Sequence, residues 1–150
     1  MHKHHYGHLA VMTALSFVAM FILMYAMVDR FANVYPNINQ FYMAGLMAAP
    51  MVIIELVVMR GMYPDARMSL IFGGVAVVAV ALFFLGIRAQ TAVADVQFIK
   101  SMIPHHAGAI LMCERSAVAD AELVKLCQDI VKGQQQEIDQ MKQILARLDK

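Results

Sequence analysis

Met102, His105 and His106 place one thioether and two imidazoles within five residues, and Glu137 and Met141 add a carboxylate and a second thioether further along. Imidazole and thioether together suit copper, Cu(I) above all, better than magnesium or calcium. Imidazole with carboxylate also suits zinc. Pro104 stands inside the first group. Within a helix it deletes the hydrogen bond to the carbonyl of Lys100 and tends to kink the chain. The alternative is that it lies in the first turn of a new helix capped by Ser101. Both make Ser101–His106 a special local geometry, and a kink there turns two adjacent rings toward one region.

Two helices must position these groups. From Thr91 the pattern is amphipathic, with Phe98, Met102, Ile103, Ile110 and Met112 recurring at helical spacing to about Ser116. A second periodic run follows Ala119-Asp120, with Asp120 as its expected N-cap. Its stripe reads Leu123, Cys127, Ile130, Gln134, Glu137, Met141, Leu145 and Leu148, the spacing of a packed helix pair. The short link predicts an antiparallel hairpin. Gln134 and Glu137 then occupy positions where Leu or Ile is expected. If Cys113 faces Cys127, His106 lies level with Gln134 and Ile103 with Glu137. Met102, His105, His106, Gln134, Glu137 and Met141 gather at one level. Burying such groups costs about a few kcal/mol each unless they are satisfied, which one metal ion would do for several at once. A polar helix start or a plain hydrogen-bond network is the alternative. Cys113 and Cys127 are the only cysteines. On an oxidising side of a membrane they are expected to form a disulfide; otherwise they are two small buried thiols.

The rest of the chain is apolar. Of 150 residues, 61% are hydrophobic, too many for an ordinary soluble domain of this size. Three stretches, about Leu9–Val28, Phe41–Met59 and Met68–Ile87, approach the roughly 20 residues that cross a bilayer core. The first is too long for a signal-peptide core, and Asp29-Arg30 follows it instead of a cleavage site. Pro36-Asn37 and Pro64-Asp65 mark the connections. Gly45, Gly73 and Gly74 are candidate points of close helix approach. The expected fold is therefore all-α: a three-span transmembrane module over residues 1–90 and an extramembrane antiparallel two-helix hairpin over residues 91–150.

Charge follows the same division. Met1–Arg88 holds five Lys/Arg and three acids, whereas Ala89–Lys150 holds seven and eight. With a net charge of +1 and no basic run, nucleic acid is not an expected partner. Lys3 with Arg60 and Arg67 favours a cytoplasmic N-terminus and second connection, leaving Lys150 on the far side. Tyr25, Phe31, Tyr35, Phe41 and Tyr42 would form an interfacial aromatic belt.

Other features have two readings each. His2, His4, His5 and His8 could hold a divalent ion or serve as a charged flank of the first span. Met20, Met24 and Met27, and the ladder Met43, Met47, Met51, Glu55, Met59, could relay Cu(I) but more often mean packing. Glu55 is a functional candidate as an intramembrane carboxylate, or snorkels to the interface near Arg60. No nucleophile–base set, phosphate loop or dinucleotide fingerprint is present, so no catalytic residues are expected; a non-catalytic role is the first reading, and a ferritin-like metal-dependent oxidase, which would want repeated Glu-x-x-His sets, is the enzymatic alternative.

The run from Phe98 to Met112, Phe98-Ile99-Lys100-Ser101-Met102-Ile103-Pro104-His105-His106-Ala107-Gly108-Ala109-Ile110-Leu111-Met112, with Gln134-Gln135-Gln136-Glu137-Ile138-Asp139-Gln140-Met141, resembles the domain of unknown function 305 family over about Asp95–Leu148. The resemblance implies a ferritin-like helical half-bundle and, by analogy with members that are periplasmic copper-binding proteins, a bacterial inner-membrane setting with the hairpin in the periplasm. It also implies that Met102, His105, His106, Met112, Glu137 and Met141 are the motif positions. A membrane-anchored periplasmic protein for copper binding or homeostasis is the expected function, with copper, or else zinc or no metal, as cofactor. An accessory or scaffold subunit of a membrane complex is the alternative. Two helices cannot close a core alone, so a homo-oligomer or a larger complex is the expected partner, besides the bilayer.

Overall fold

The computed structural model describes residues 3–149; Met1, His2, Lys150 and the side chains of Lys3 and His4, which carry part of the topology and N-terminal histidine expectations, lie outside the described residues. Among the described residues there are five α-helices and no strand: α1 (Lys3–Leu23), α2 (Ile38–Val58), α3 (Ala66–Arg88), α4 (Asp95–Arg115) and α5 (Ala121–Leu148). Two short 3-10 turns, Met24–Met27 and Phe31–Asn33, follow α1. The segments His5–Met27, Ile38–Val58 and Ala66–Arg88 are long and apolar enough to cross a membrane.

The chain forms two compact units: residues 1–24 with 39–91, and residues 25–38 with 92–150. In the first, Tyr6, Leu9, Val52, Tyr63 and Ala76 form the buried cluster. Asp65 caps α3 by accepting from the Met68 N–H at 3.1 Å, and the Tyr6 hydroxyl donates to the Asp65 carbonyl at 2.9 Å. Helix approach is set by glycine where a ring fills the gap. A Cβ at Gly45 would overlap the Phe83 ring, and one at Gly86 would stand 3.2 Å from the Tyr42 ring. Gly73 and Gly74 are not such points: Gly74 faces open space and Gly73 has ordinary room. Glu55 accepts from the Tyr63 hydroxyl at 3.2 Å, so the second connection satisfies this carboxylate. Burial first, then the bond to Glu55, raises the Tyr63 hydroxyl above its ordinary pKa. Met43, Met47 and Met59 are exposed, which puts the methionine row on the outside of the unit instead of along an interior path.

The second unit is built on α4 and α5. Asp120 caps α5, its carboxylate accepting from the Leu123 N–H at 2.9 Å. The core cluster is Ile99, Ile103, Ala107, Ile110, Ile138 and Leu145, with Val131, Met141 and Ile144 packed against it. This bears out Met141 and Leu145 of the seam expected for α5 and corrects it at Leu123, Glu137 and Leu148. Ile138 is fully buried, while Leu123 and Leu148 are exposed and the Glu137 side chain is 57% exposed. The core-facing row runs one residue later at this level, so the packed interface has no polar break at Glu137.

Residues 25–38 complete this unit, a role that the connection's composition does not announce. Pro104 lies inside an unbroken α4, so Ser101 caps no new helix. The proline leaves the Lys100 carbonyl without its helical donor. Asn37 supplies one, its Nδ2 donating to that carbonyl at 3.3 Å and to the Tyr35 carbonyl at 2.9 Å. The Ile38 N–H donates to Gln97 Oε1 at 3.0 Å. A Cβ on Gly108 would come within 3.4 Å of the Met27 carbonyl oxygen, so a small residue suits this approach.

A polar chain secures the same segment to α5. Lys142 Nζ donates to Asn33 Oδ1 at 2.6 Å, and Asn33 Nδ2 donates to Asp29 Oδ1 at 2.6 Å. Arg30 Nε meets Asp29 Oδ2 at 2.8 Å. Burial pushes the Asp29 carboxyl up, but the bonds from Asn33 and Arg30 outweigh it and hold the group below its ordinary value. A carboxyl lowered in the folded state adds stability above its unfolded value of about 3.9, lost as pH falls through the folded value. Urea midpoints of this unit should thus fall less steeply below about pH 4 in Asp29→Asn than in the native protein. Equal slopes would remove Asp29 as the acid-sensitive group.

Candidate metal centre

Because α4 is continuous, Met102 and His106 stand one turn apart. His106 Nδ1 lies 2.9 Å from the Met102 carbonyl oxygen, and Nε2 lies 2.7 Å from Glu137 Oε2. The carbonyl only accepts, so Nδ1 carries a hydrogen. That fixes the ring and aims Nε2 at α5, the arrangement by which a backbone carbonyl orients a metal-ligating histidine. Nε2 faces a carboxylate oxygen. A hydrogen bridges this short contact. That hydrogen must leave before Nε2 can serve a metal.

His106 is buried at 7% exposure, whereas His105 is exposed, their ring centroids 6.1 Å apart. Met102 and Met141 are half-buried, and Met141 packs against the core cluster. Met112 is exposed and about 9 Å further along α4 from His106, so one chain does not bring it to this group. Among the described residues no three His, Cys, Asp or Glu side chains gather closely enough to hold a metal ion. Within one chain the nitrogen–oxygen pair is therefore His106 and Glu137, and further donors must be thioethers, His105 or groups from another molecule.

Cys113 and Cys127 form a disulfide with a Cα–Cα distance of 5.2 Å. They are opposed as the expected register requires. His106, however, meets Glu137 and not the level residue Gln134, because long side chains reach nearly a turn along the partner helix. Sequence reasoning missed Asp29, Asn33, Asn37 and Lys142. The available signal was Pro104 itself, since its orphaned carbonyl must find a donor outside α4.

Over 138 residues the chain is 29% identical to the uncharacterized protein L153 of Acanthamoeba polyphaga mimivirus, a similarity covering 90% of this chain and 89% of that one. No solved structure matches it. Residues 85–145 match the family model described as Domain of unknown function (DUF305). That stretch, with α4 and most of α5, is a domain of the DUF305 family.

Proposed function

We propose that this chain is a membrane-anchored metal-binding protein that handles copper. Its DUF305 domain acts as an extramembrane, ferritin-like antiparallel hairpin on the periplasmic face of a bacterial inner membrane. The observation that carries this is the pre-oriented His106, with Nδ1 held by the Met102 carbonyl and Nε2 directed at Glu137. The residues fit copper by donor chemistry: His105 and His106 supply imidazole, Met102 and Met141 thioether, and Glu137 carboxylate. Zinc is the alternative ion, through histidine and Glu137. Met112 belongs to the family's motif positions and stands apart from this set. Copper bound here would be held for storage or transfer; catalysis is not part of the proposal. An accessory or scaffold subunit is the second reading, favoured by the exposed apolar side chains of α4 and α5.

The test compares copper binding in two full-length proteins purified in mild detergent, both with His2, His4, His5 and His8 replaced by alanine. One is otherwise native, and the other carries His105→Ala and His106→Ala. The first should bind about one copper per chain, more weakly as the solution is acidified, and the second should lose at least about tenfold in affinity. Equal binding in the two would sink the site and leave the scaffold reading ahead.

A further inference from the structure

The second unit is covered on one side and bare on another. Residues 25–38 reach Gln97, Ser101 and Gly108 of α4 and Gln135 and Lys142 of α5. At about 100° per residue, a different row of α4 stands about a quarter-turn from those contacts: Phe98, Met102, His105, Ala109 and Met112, in steps of 4, 3, 4 and 3. On α5 the matching row is Leu123, Leu126, Ile130, Gly133 and Glu137, in steps of 3, 4, 3 and 4. Phe98, Met112 and Leu126 are each 52% exposed and Leu123 is 42% exposed. This heptad spacing on two packed helices is that of a helical-bundle interior, yet here the face is open.

We propose that a second copy of this chain docks on this face, closing a four-helix bundle and completing the metal site with residues from both copies; the metal part rests on the function proposed above. Three observations select a second copy. The face is self-complementary: its only ionisable groups are His105 and Glu137, which pair favourably when a two-fold axis brings one copy's row against the other's. The footprint is about 20 Å by about 20 Å, or about 400 Å² per copy, the size of the largest apolar patch on an ordinary monomer, which is often a functional one. A total near 800 Å² falls short of the roughly 1,200 Å² of stable soluble complexes, but chains with three membrane-spanning segments are confined to one bilayer, which raises their effective concentration. Finally, a single chain brings only His106 and Glu137 together, while exposed His105 and half-buried Met102 lie on the docking face. Apposition of two copies adds a second set of the same donors.

The experiment uses full-length protein in lipid nanodiscs, with a photo-crosslinking residue at Ala109 and, in parallel, Leu123→Glu/Leu126→Glu. Both leucines are exposed, so the variant should fold, as retention of the Cys113–Cys127 bond would show. Illumination should give a covalent product of twice the 16.7 kDa chain, lost in the double variant. A lipid-mass adduct, another protein, or no product would overturn the docking. Copper affinity, read by competition with a Cu(I) chelator, should fall at least about tenfold in the double variant, although neither leucine is a ligand. Unchanged affinity would overturn the shared site. A crosslinked dimer that binds no copper would support the docking while overturning the metal function.

Discussion

Replacing Ile138 by alanine should cost the second unit about 2–5 kcal/mol, the range for deleting a fully buried aliphatic side chain. Replacing Glu137 by alanine should cost roughly 1 kcal/mol or less, since its side chain is more than half exposed and its bond to His106 competes with water. The contrast is informative because the residues are adjacent and only one can face the core. Ile138 is at zero exposure among Ile99, Ile103, Ala107, Ile110 and Leu145. Opening free energies from hydrogen exchange of α4 and α5 amides read this unit separately from the apolar one. A larger loss at Glu137 than at Ile138 would mean that the polar seam read from periodicity is the core after all. The same pair separates stability from function, because the metal proposal gives the larger effect on copper binding to Glu137.

The point at which pattern reasoning slipped has a physical cause. Helix α5 carries two adjacent apolar rows, one through Leu123, Ile130 and Leu148 and one through Val124, Val131, Ile138 and Leu145. Both satisfy a spacing of three and four, so periodicity alone cannot rank them; side-chain burial can. What periodicity did carry was the existence of both helices, the Asp120 cap and the opposition of Cys113 and Cys127. The three long apolar helices were legible too, because length and composition suffice for that. Residues 25–38 were not. Asn33 and Asn37 are ordinary turn formers, and nothing local says that one meets Lys142 and the other the carbonyl freed by Pro104. Contacts separated by more than 60 positions in sequence leave no periodic trace. At the candidate site the residue types were legible, and so was the broad register. The orientation of His106 was not, since it depends on a backbone carbonyl that every residue type shares.

Converting both Cys113 and Cys127 to serine should destabilise the second unit by about 3 kcal/mol, the chain-entropy value for a closed loop of about this length. The bond joins residues 14 apart in sequence across the short link between α4 and α5. It stands beyond the core cluster, near the ends of both helices. Loss should therefore be felt first as faster exchange of amides around Cys113 and Cys127, with the Ile103–Ile138 region opening only as the whole unit does. Both cysteines line an open groove with Glu114, Val118, Gln128 and Lys132, so a soluble reductant should reach the sulfurs without prior unfolding. Reduced native protein and the double serine variant should then show the same exchange pattern. If reduction leaves exchange unchanged while the serine variant unfolds, the serines disturb packing and the covalent link adds nothing. If native protein isolated from cells has two free thiols per chain after denaturation without reductant, the domain faces a reducing compartment. The periplasmic placement would fall with that result, and the metal question would pass to the cytoplasmic side of the membrane.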